Sequence, residues 1–294
     1  MLSAEEEGLN LSLSAKEISE ILVLAERATL AGANAMINLV NSGTEIEVHR
    51  KDDHSIVMNL DLAAQAEVLR LLDGVLPIVS EERPDTHHIV DSGGDYLLVD
   101  PLDGTASCQR CLKSFRQFRP GQVGFGPMVG IVSSGILVGV SFFEVGAGLS
   151  FSASVGKGAF MRRLVGHDIG PADQLRVNGY LPLNESAMLF YPGTNGEMPF
   201  VSKIRENEVV DTLYRFGGFA NDCSRAARDF EQSVVQFSLK AWDFPAVLIP
   251  AEAGLSVCVD PAEKKSSIDS WVIRRLNPVV VSHPKNISEL ISYV

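Results

Sequence analysis

The feature that most constrains the fold of this chain is the stretch from Leu98 to Thr105, which reads Leu-Val-Asp-Pro-Leu-Asp-Gly-Thr. Its apolar beginning predicts a buried strand, which we expect to end at Pro101 because proline has no N–H to donate to a neighbouring strand. Asp100 and Asp103 then lie on a turn at the end of that strand, close enough to hold cations between them. Gly104 leaves room for a ligand beside the backbone. The alternative is an Asx-type turn that caps a helix, which any Asp-Gly pair can form.

Length and charge limit the classes of partner. With 294 residues the chain can form a large core and two packed halves. It has 25 Lys and Arg against 37 Asp and Glu, a formal charge of −12. This balance argues against a nucleic acid polymer or an anionic membrane as partner, because both carry phosphates that it would repel. A small phosphate ester remains possible where bound metal ions invert the local charge.

The N-terminal sequence indicates a cytoplasmic protein. Glu5, Glu6 and Glu7 stand where a secretory signal would be basic, and Glu26 and Arg27 interrupt the early apolar stretch. Four cysteines fit a reduced compartment. The pair Cys108 and Cys111 has the spacing of a redox motif or half a zinc site, but no second ligand pair follows, so we interpret it as mostly structural, with a regulatory disulfide as the alternative.

The residue pattern predicts two halves. Residues 1–165 begin with a long helix from Ala15 to about Asn41 and continue with strands that include a hairpin, Met128 to Phe143. This half is expected to contain an antiparallel sheet and most of the metal ligands. Residues 166–294 alternate between strands and helices, which indicates an α/β half that carries Asp243 and the substrate wall.

Four carboxylates lie at the ends of predicted strands or at the start of a predicted helix. Glu82 follows a short strand, Asp100 and Asp103 form the central turn, and Asp243 stands at a helix start. Taken singly, Asp243 is explained as a helix cap and the glutamate as a solvated strand end. Together they form the oxygen-rich set that several magnesium ions require, with positions left for water and a phosphate.

The motifs that carry a family resemblance span most of the chain. They are Lys51-x-Asp53-x-Ser55-x-Val57-x-x-x-Asp61, Ser80-Glu81-Glu82, Asp100-Pro-Leu-Asp-Gly-Thr105, Gly156-Lys-Gly-Ala-Phe160, and Trp242-Asp243 followed by Glu252-Ala-Gly254. With these motifs the chain resembles the inositol monophosphatase-like superfamily of magnesium-dependent, lithium-sensitive phosphatases. That superfamily includes inositol phosphatases, CysQ-type 3′(2′),5′-bisphosphate nucleotidases and some fructose-1,6-bisphosphatases. The resemblance implies an α/β fold built as an α-β-α-β-α layered sandwich, with the site between its halves.

The resemblance also implies roles for individual residues and two or three Mg²⁺ ions. One magnesium would be held by Glu82, Asp100 and the carbonyl of Leu102, and a second by Asp100, Asp103 and Asp243. Thr105 would orient the attacking water, polarised by an acidic partner that falls at Asp53 in the nucleotidase-like branch. The amides of Gly104 and Thr105 would receive the phosphate. A substrate wall would contact the rest of the ester through Gly218, Phe219, Gln236 and Asp243.

Some positions depart from the family pattern. Met58 stands where a threonine is usual, so a supporting hydrogen bond is missing from that loop. Gly217 to Asn221 lacks the serines and lysine of the nucleotidases, and Gln236 replaces the acid with which inositol monophosphatases grip sugar hydroxyls. The candidates for binding a second phosphate are Lys240, Arg215 and the loop arginines Arg110, Arg116 and Arg119, although each is more often a solvated surface charge.

We therefore expect a magnesium-dependent phosphomonoesterase that acts on an inositol phosphate or 3′-phosphoadenosine 5′-phosphate. One alternative is a sugar phosphatase such as a fructose-1,6-bisphosphatase. Another is a catalytically weak regulator that binds metal or phosphate. A homodimer is possible, and no nucleic acid or membrane partner is expected.

Overall fold

A computed structural model describes residues 11–52, 55–115, 124–165, 168–191, 197–214, 217–228, 233–237, 239–259 and 278–294. The helices in these ranges are α1 Ala15–Asn41, α2 Asn59–Leu72, α3 Thr105–Phe115, α4 Glu197–Glu206, α5 Phe219–Ala226, α6 Leu248–Ala253 and α7 Ile287–Ile291. No helix among the described residues combines the length and apolar character needed to cross a membrane.

The strands form three sheets. They are β1 Val48–Arg50, β2 Ile56–Met58, β3 Ile78–Ser80, β4 Tyr96–Asp103, β5 Gly126–Ser133, β6 Ile136–Glu144, β7 Leu149–Ser154, β8 Gly158–Val165, β9 Asp168–Leu175, β10 Ala187–Tyr191, β11 Thr212–Tyr214, β12 Ser233–Gln236, β13 Ser256–Val259 and β14 Val279–Ser282. The strands β1 and β2 make a small antiparallel pair.

The first large sheet has the strand order β3-β4-β5-β6-β7-β8-β9. Its strands are antiparallel except for the parallel pair β3 and β4. The predicted hairpin is confirmed as the antiparallel pair β5 and β6. The sheet continues through Leu175, beyond the boundary expected at residue 165, because β9 pairs with β8.

The second large sheet has the order β11-β10-β12-β14-β13. Strand β10 is parallel to β11 and β12, whereas β14 is antiparallel to both of its neighbours. This mixed sheet agrees with the alternating pattern expected for the second half.

The central strand is longer than predicted. Strand β4 does not end at Pro101 but continues to Asp103, and all of its residues are buried. Between Asp100 and Asp103 the register with β5 shifts, so one extra residue stands on β4. Such a bulge leaves the proline outside the regular hydrogen-bond ladder, and its missing N–H therefore does not end the strand.

Alternate residues of β4 pack on different layers. Leu97 and Val99 join the cluster formed with α1 and α2, whereas Tyr96 and Leu98 join the cluster formed with α5 and α6. The cluster formed with α5 and α6 also includes Val234 of the second sheet. A further cluster packs α4 and α7 on the outer face of the second sheet. The five-layered α-β-α-β-α sandwich is thereby confirmed, and its middle layer of helices lies between the two sheets.

Candidate active site

The bulge at the end of β4 positions the first two carboxylates. Asp100 Oδ1 accepts a hydrogen bond of 2.9 Å from the N–H of Leu102, which fixes its side chain within the turn. Oxygens of Asp100, Asp103 and Asp243 all lie within 4.8 Å of one another. The structure therefore brings together three of the four carboxylates that the sequence singled out.

Asp243 reaches this cluster from the start of the middle-layer helix. A 3₁₀ turn, Phe244–Val247, follows it and leads into α6, which ends at Gly254 with a left-handed backbone. The side chain of Asp243 makes no capping bond to that helix. Instead its Oδ2 accepts the N–H of Lys240 at 3.0 Å, so the capping explanation does not account for this residue.

Asp103 links the two halves of the fold. Its two carboxylate oxygens accept the N–H groups of Phe219 and Ala220, each at 3.1 Å, at the first turn of α5. A carboxylate at a helix N-terminus satisfies amides that have no partner within the helix. Gly218 precedes this turn, and a Cβ atom there would overlap Asp103 Oδ2. Glycine is therefore needed at position 218 for the close approach of α5 to the cluster.

The Gly218→Ala variant is expected to lower the phosphatase activity that the sequence predicts by roughly 10- to 100-fold, because displacing Asp103 typically costs about 1–3 kcal/mol. Phosphate release at saturating Mg²⁺ measures this loss. Gly94→Ala is the matched control, since a Cβ at that position meets only the side chain of Ser92 at 3.5 Å. Equal activity of the two variants would contradict the role given to Gly218.

Of the two adjacent glutamates, Glu81 and not Glu82 lines the cleft. Glu82 was expected to bind metal, but its carboxylate lies 2.6 Å from the Lys51 ammonium. Glu81 is the residue that lines the cleft, and its charge raises the pKa of Asp100 and Asp243. The N–H of Glu81 donates to the carbonyl of Val99, which places Glu81 beside Asp100. The pairing of β3 with β4 decides between the two glutamates, and the sequence does not show that register.

Thr105 has an acidic partner other than the expected one. Its hydroxyl, at the start of α3, is 3.1 Å from Asp61 Oδ1 and 3.0 Å from the carbonyl oxygen of Leu102. The other oxygen of Asp61 accepts the N–H of Met58 at 2.9 Å, at the start of α2. In the sequence Asp61 stands only as the last residue of the family motif that begins at Lys51. Asp53, the expected partner, lies outside the described residues.

Burial sets the electrostatics of the cluster. It raises the pKa of Asp100, Asp103 and Asp243 above the usual range of a carboxyl group, and the neighbouring carboxylates raise these pKa values further. Burial also raises the pKa of Asp61 to about 7. Carboxylates crowded in this way without a cation keep their protons at pH values where exposed ones would be charged. The cluster is therefore built to gain from a bound cation.

The cleft above the cluster has a volume of about 330 Å³. It contains the expected substrate residues Gly104, Phe219 and Gln236, and a Cβ on Gly104 would lie 3.2 Å from the backbone of Gly218. Its lining residues are Ser55, Ile56, Glu81, Asp100, Leu102, Asp103, Gly104, Thr105, Ala106, Gly217, Phe219, Gln236, Lys240 and Asp243. These residues come from both halves of the chain, as expected.

The donor set fits magnesium. Hard divalent cations prefer carboxylate and carbonyl oxygens, and Mg²⁺ keeps several water ligands. Asp100, Asp103 and Asp243 offer such oxygens at mutual distances that one or two ions can bridge, and Glu81 faces the same cleft. Cys108 and Cys111 are buried thiols on α3, and neither lines the cleft.

Several proteins resemble this chain in sequence. The chloroplastic phosphatase IMPL1 of Arabidopsis thaliana is 28% identical over 283 residues, which cover 91% of this chain and 69% of the relative. The inositol-1-monophosphatase of Caulobacter vibrioides is 26% identical over 226 residues, covering 72% and 78% respectively. The 3′(2′),5′-bisphosphate nucleotidase CysQ of Salmonella typhimurium is 34% identical over 91 residues, which are 30% of this chain and 35% of CysQ. No protein-family model matches the chain.

Solved structures show the same fold. SuhB of Bartonella henselae has a TM-score of 0.73 at 18% identity, over 93% of this chain and 98% of that one. An IMPase/NADP phosphatase in complex with Mg²⁺ and phosphate has a TM-score of 0.70 at 16% identity, over 93% and 95%. The layered fold is thus that of the inositol monophosphatases. The sequence relatives support the resemblance to the inositol monophosphatase superfamily, and they support a phosphatase.

Proposed function

We propose that this protein is a magnesium-dependent phosphomonoesterase that hydrolyses a small phosphate ester by attack of a water molecule. The observation that carries the proposal is the buried carboxylate cluster beside a threonine hydroxyl that is itself hydrogen-bonded to a buried aspartate. Phosphoryl transfer needs charge neutralisation around the phosphorus and an oriented nucleophile, and these two features supply both requirements.

The residues of the site have distinct roles in this proposal. Asp100, Asp103, Asp243 and Glu81 would hold the metal ions. Bound Mg²⁺ would supply a water ligand of lowered pKa and positive charge beside the phosphate and the leaving oxygen. Asp61 accepts the hydrogen bond of Thr105 and so keeps the threonine oxygen lone pairs directed at the attacking water.

The start of α3 is positioned to receive the phosphate. The helix begins at Thr105, directly after Gly104, whose backbone is left-handed. The first amides of a helix have no carbonyl partner within it, and they carry the positive end of its dipole. Gly104, Thr105 and Ala106 all line the cleft, so a phosphate bound there meets these amides.

The substrate wall supports an ester with a second acidic group. Gln236 is buried at the cleft, and its side-chain oxygen has no hydrogen-bond partner among the described residues. The ammonium of Lys240 lies 3.8 Å from Glu81 and 5.5 Å from the centre of the Trp242 ring. When a metal ion neutralises Glu81, the charge of Lys240 faces the substrate. A neutral amide and a cation favour a bisphosphate over a hydroxyl-rich monophosphate.

The function is tested by phosphate release with Mg²⁺ from inositol 1-phosphate, 3′-phosphoadenosine 5′-phosphate and fructose 1,6-bisphosphate, each with and without Li⁺. Turnover of at least one ester that requires Mg²⁺ is the expected result. Magnesium binding without turnover of any ester would favour the catalytically weak regulator instead. A preference for fructose 1,6-bisphosphate would identify the sugar phosphatase.

Substitutions of Lys240 and Gln236 are both expected to shift substrate choice away from bisphosphates. Lys240→Met should raise KM for a bisphosphate by about 10- to 100-fold, the equivalent of one charged hydrogen bond, and should change kcat little. Gln236→Glu should weaken bisphosphates further and favour inositol 1-phosphate. Lys203→Met, on the exposed face of α4, is the control. Unchanged ratios of kcat/KM among the three esters would exclude a role for this wall.

A further inference from the structure

A second cavity lies on the outer face of the first sheet and shares no lining residue with the active-site cleft. Its volume is about 760 Å³, more than twice that of the cleft, and within the range of about 300–1,000 Å³ that is typical of small-molecule sites. It is bounded by the N-terminal part of α1 on one side and by strands β6, β7 and β8 on the other.

The walls of this cavity are mainly apolar. Leu13, Ile18 and Leu22 line it from the helix side, and Val138, Val155 and Phe160 line it from the sheet. The serine hydroxyls on its floor are already used, since Ser152 accepts from Arg162 and Ser154 donates to the carbonyl of Val138. Because these hydroxyls are already hydrogen-bonded, they hold water only weakly. The apolar part of a ligand can therefore displace water from the floor of the cavity.

Two cations lie at the cavity. Arg162 Nη1 donates to Glu26 Oε1 at 2.6 Å and to Ser152 Oγ at 3.0 Å, which holds the guanidinium in place. Its Nε and Nη2 donors have no acceptor among the described residues, although three-quarters of the side chain is buried. Lys157 is exposed at the turn between β7 and β8, and it makes no ion pair with any described residue.

We propose that this cavity binds a small amphipathic anion, with an apolar body between α1 and the sheet and one acidic group on Arg162 and Lys157. Glu26 neutralises only one of the two cations, so the cavity keeps a positive charge in a chain whose formal charge is −12. A neutral apolar ligand would leave the remaining guanidinium donors without an acceptor, and a cationic one would be repelled by Lys157. This site is independent of the proposed phosphatase activity.

Calorimetric titration of the full chain with dodecanoate, below its micellar concentration and without Mg²⁺, tests the proposal. Dodecanol and dodecyltrimethylammonium serve as neutral and cationic probes with the same alkyl chain. Saturable binding of one dodecanoate per chain, at least about tenfold tighter than either of the other probes, is the expected result. Equal affinity for the three probes, or no saturable binding, would overturn the proposal.

Substitutions of the two cations test where the acidic group of the ligand binds. Arg162→Met and Lys157→Met are each expected to weaken dodecanoate binding by about tenfold or more, the effect of one charged hydrogen bond. Lys157→Met changes an exposed turn and keeps the fold, so it remains decisive if Arg162→Met destabilises the chain by leaving Glu26 unpaired. Arg163→Met is the matched control, because the neighbouring residue of β8 is exposed and points to the other face.

Two outcomes with these variants would contradict the assignment. Binding of dodecanoate that neither Arg162→Met nor Lys157→Met weakens would place it elsewhere. A dimer seen by sedimentation velocity that Leu22→Asp dissociates would instead assign the cavity to an interface between two copies of the chain.

Discussion

Asp100→Asn is expected to lower magnesium-dependent phosphate release by about a thousandfold or more. The substitution removes a ligand at the centre of the carboxylate cluster, and metal ions contribute several kcal/mol to stabilising the transition state of phosphoryl transfer. Asp100 is a cleaner target than Asp103, because Asp103 also accepts two amides of α5. Initial rates over a range of Mg²⁺ concentrations measure the loss.

The same substitution is expected to stabilise the protein when no metal is bound. Burial and the neighbouring carboxylates oppose a charge on Asp100, and asparagine removes that charge while keeping the shape of the side chain. Without Mg²⁺ the melting temperature should rise by roughly 2–4 °C for each kcal/mol of relieved repulsion, and the rise caused by Mg²⁺ should largely disappear. Asp173→Asn, at an exposed position of β9, is the control. A variant that keeps both activity and the magnesium-induced shift would refute the metal site.

Thr105→Val is expected to lower kcat by about 10²- to 10⁴-fold, the usual contribution of a residue that orients and activates the attacking group. Valine keeps the size of the side chain but loses the hydroxyl that lies 3.1 Å from Asp61. Thr105→Ser keeps the hydroxyl and should retain most of the activity. Because neither substitution touches the carboxylate cluster, both should bind Mg²⁺ as the unmodified protein does. Similar rates for Val and Ser would rule out the role of the hydroxyl.

The pH dependence of the rate should report Asp61. Its carboxyl group is the stronger acceptor for the Thr105 hydroxyl when it is deprotonated, and burial raises its pKa to about 7. Activity should therefore increase with pH up to about 7. Metal ions that neutralise Glu81 should move this rising limb of the pH–rate profile to lower pH. Asp61→Asn should lower the rate and abolish the limb. The sign for stability is opposite: with a raised folded pKa, Asp61 destabilises the metal-free fold as pH increases from about 4 to about 7.

The sequence was sufficient for those parts of the site that a short motif places on one turn. Asp100, Asp103 and Thr105 lie within six residues of the chain, and their mutual positions depend on local geometry. Asp243 could be added because a tryptophan-aspartate pair before a helix start is part of the family pattern. Which of Glu81 and Glu82 faces the cleft could not be read from the sequence, since it depends on how β3 is aligned with β4.

The parts that the sequence did not predict depend on contacts between distant segments. Asp61 was named only as part of a family motif. One of its oxygens accepts the N–H of Met58 at the start of α2, and the other accepts the hydroxyl of Thr105, 44 residues further along the chain. The prediction that β4 ends at Pro101 was wrong, because the preference of a single residue takes no account of the bulge. The first sheet extends through β9 because pairing with β8, and not composition, sets its edge.

The double use that we propose for Asp103 has a consequence for how phosphatases of this fold diverge. A descendant that lost catalysis would still need this carboxylate to hold the first turn of α5 against the central strand. Selection for folding alone would then preserve Asp103 long after the metal ions had gone. Asp243 contributes less to holding the fold together, because its one described hydrogen bond is to a loop amide. A homologue that keeps Asp103 but has lost Asp243 is therefore better interpreted as a protein that has lost its catalytic activity than as an active enzyme.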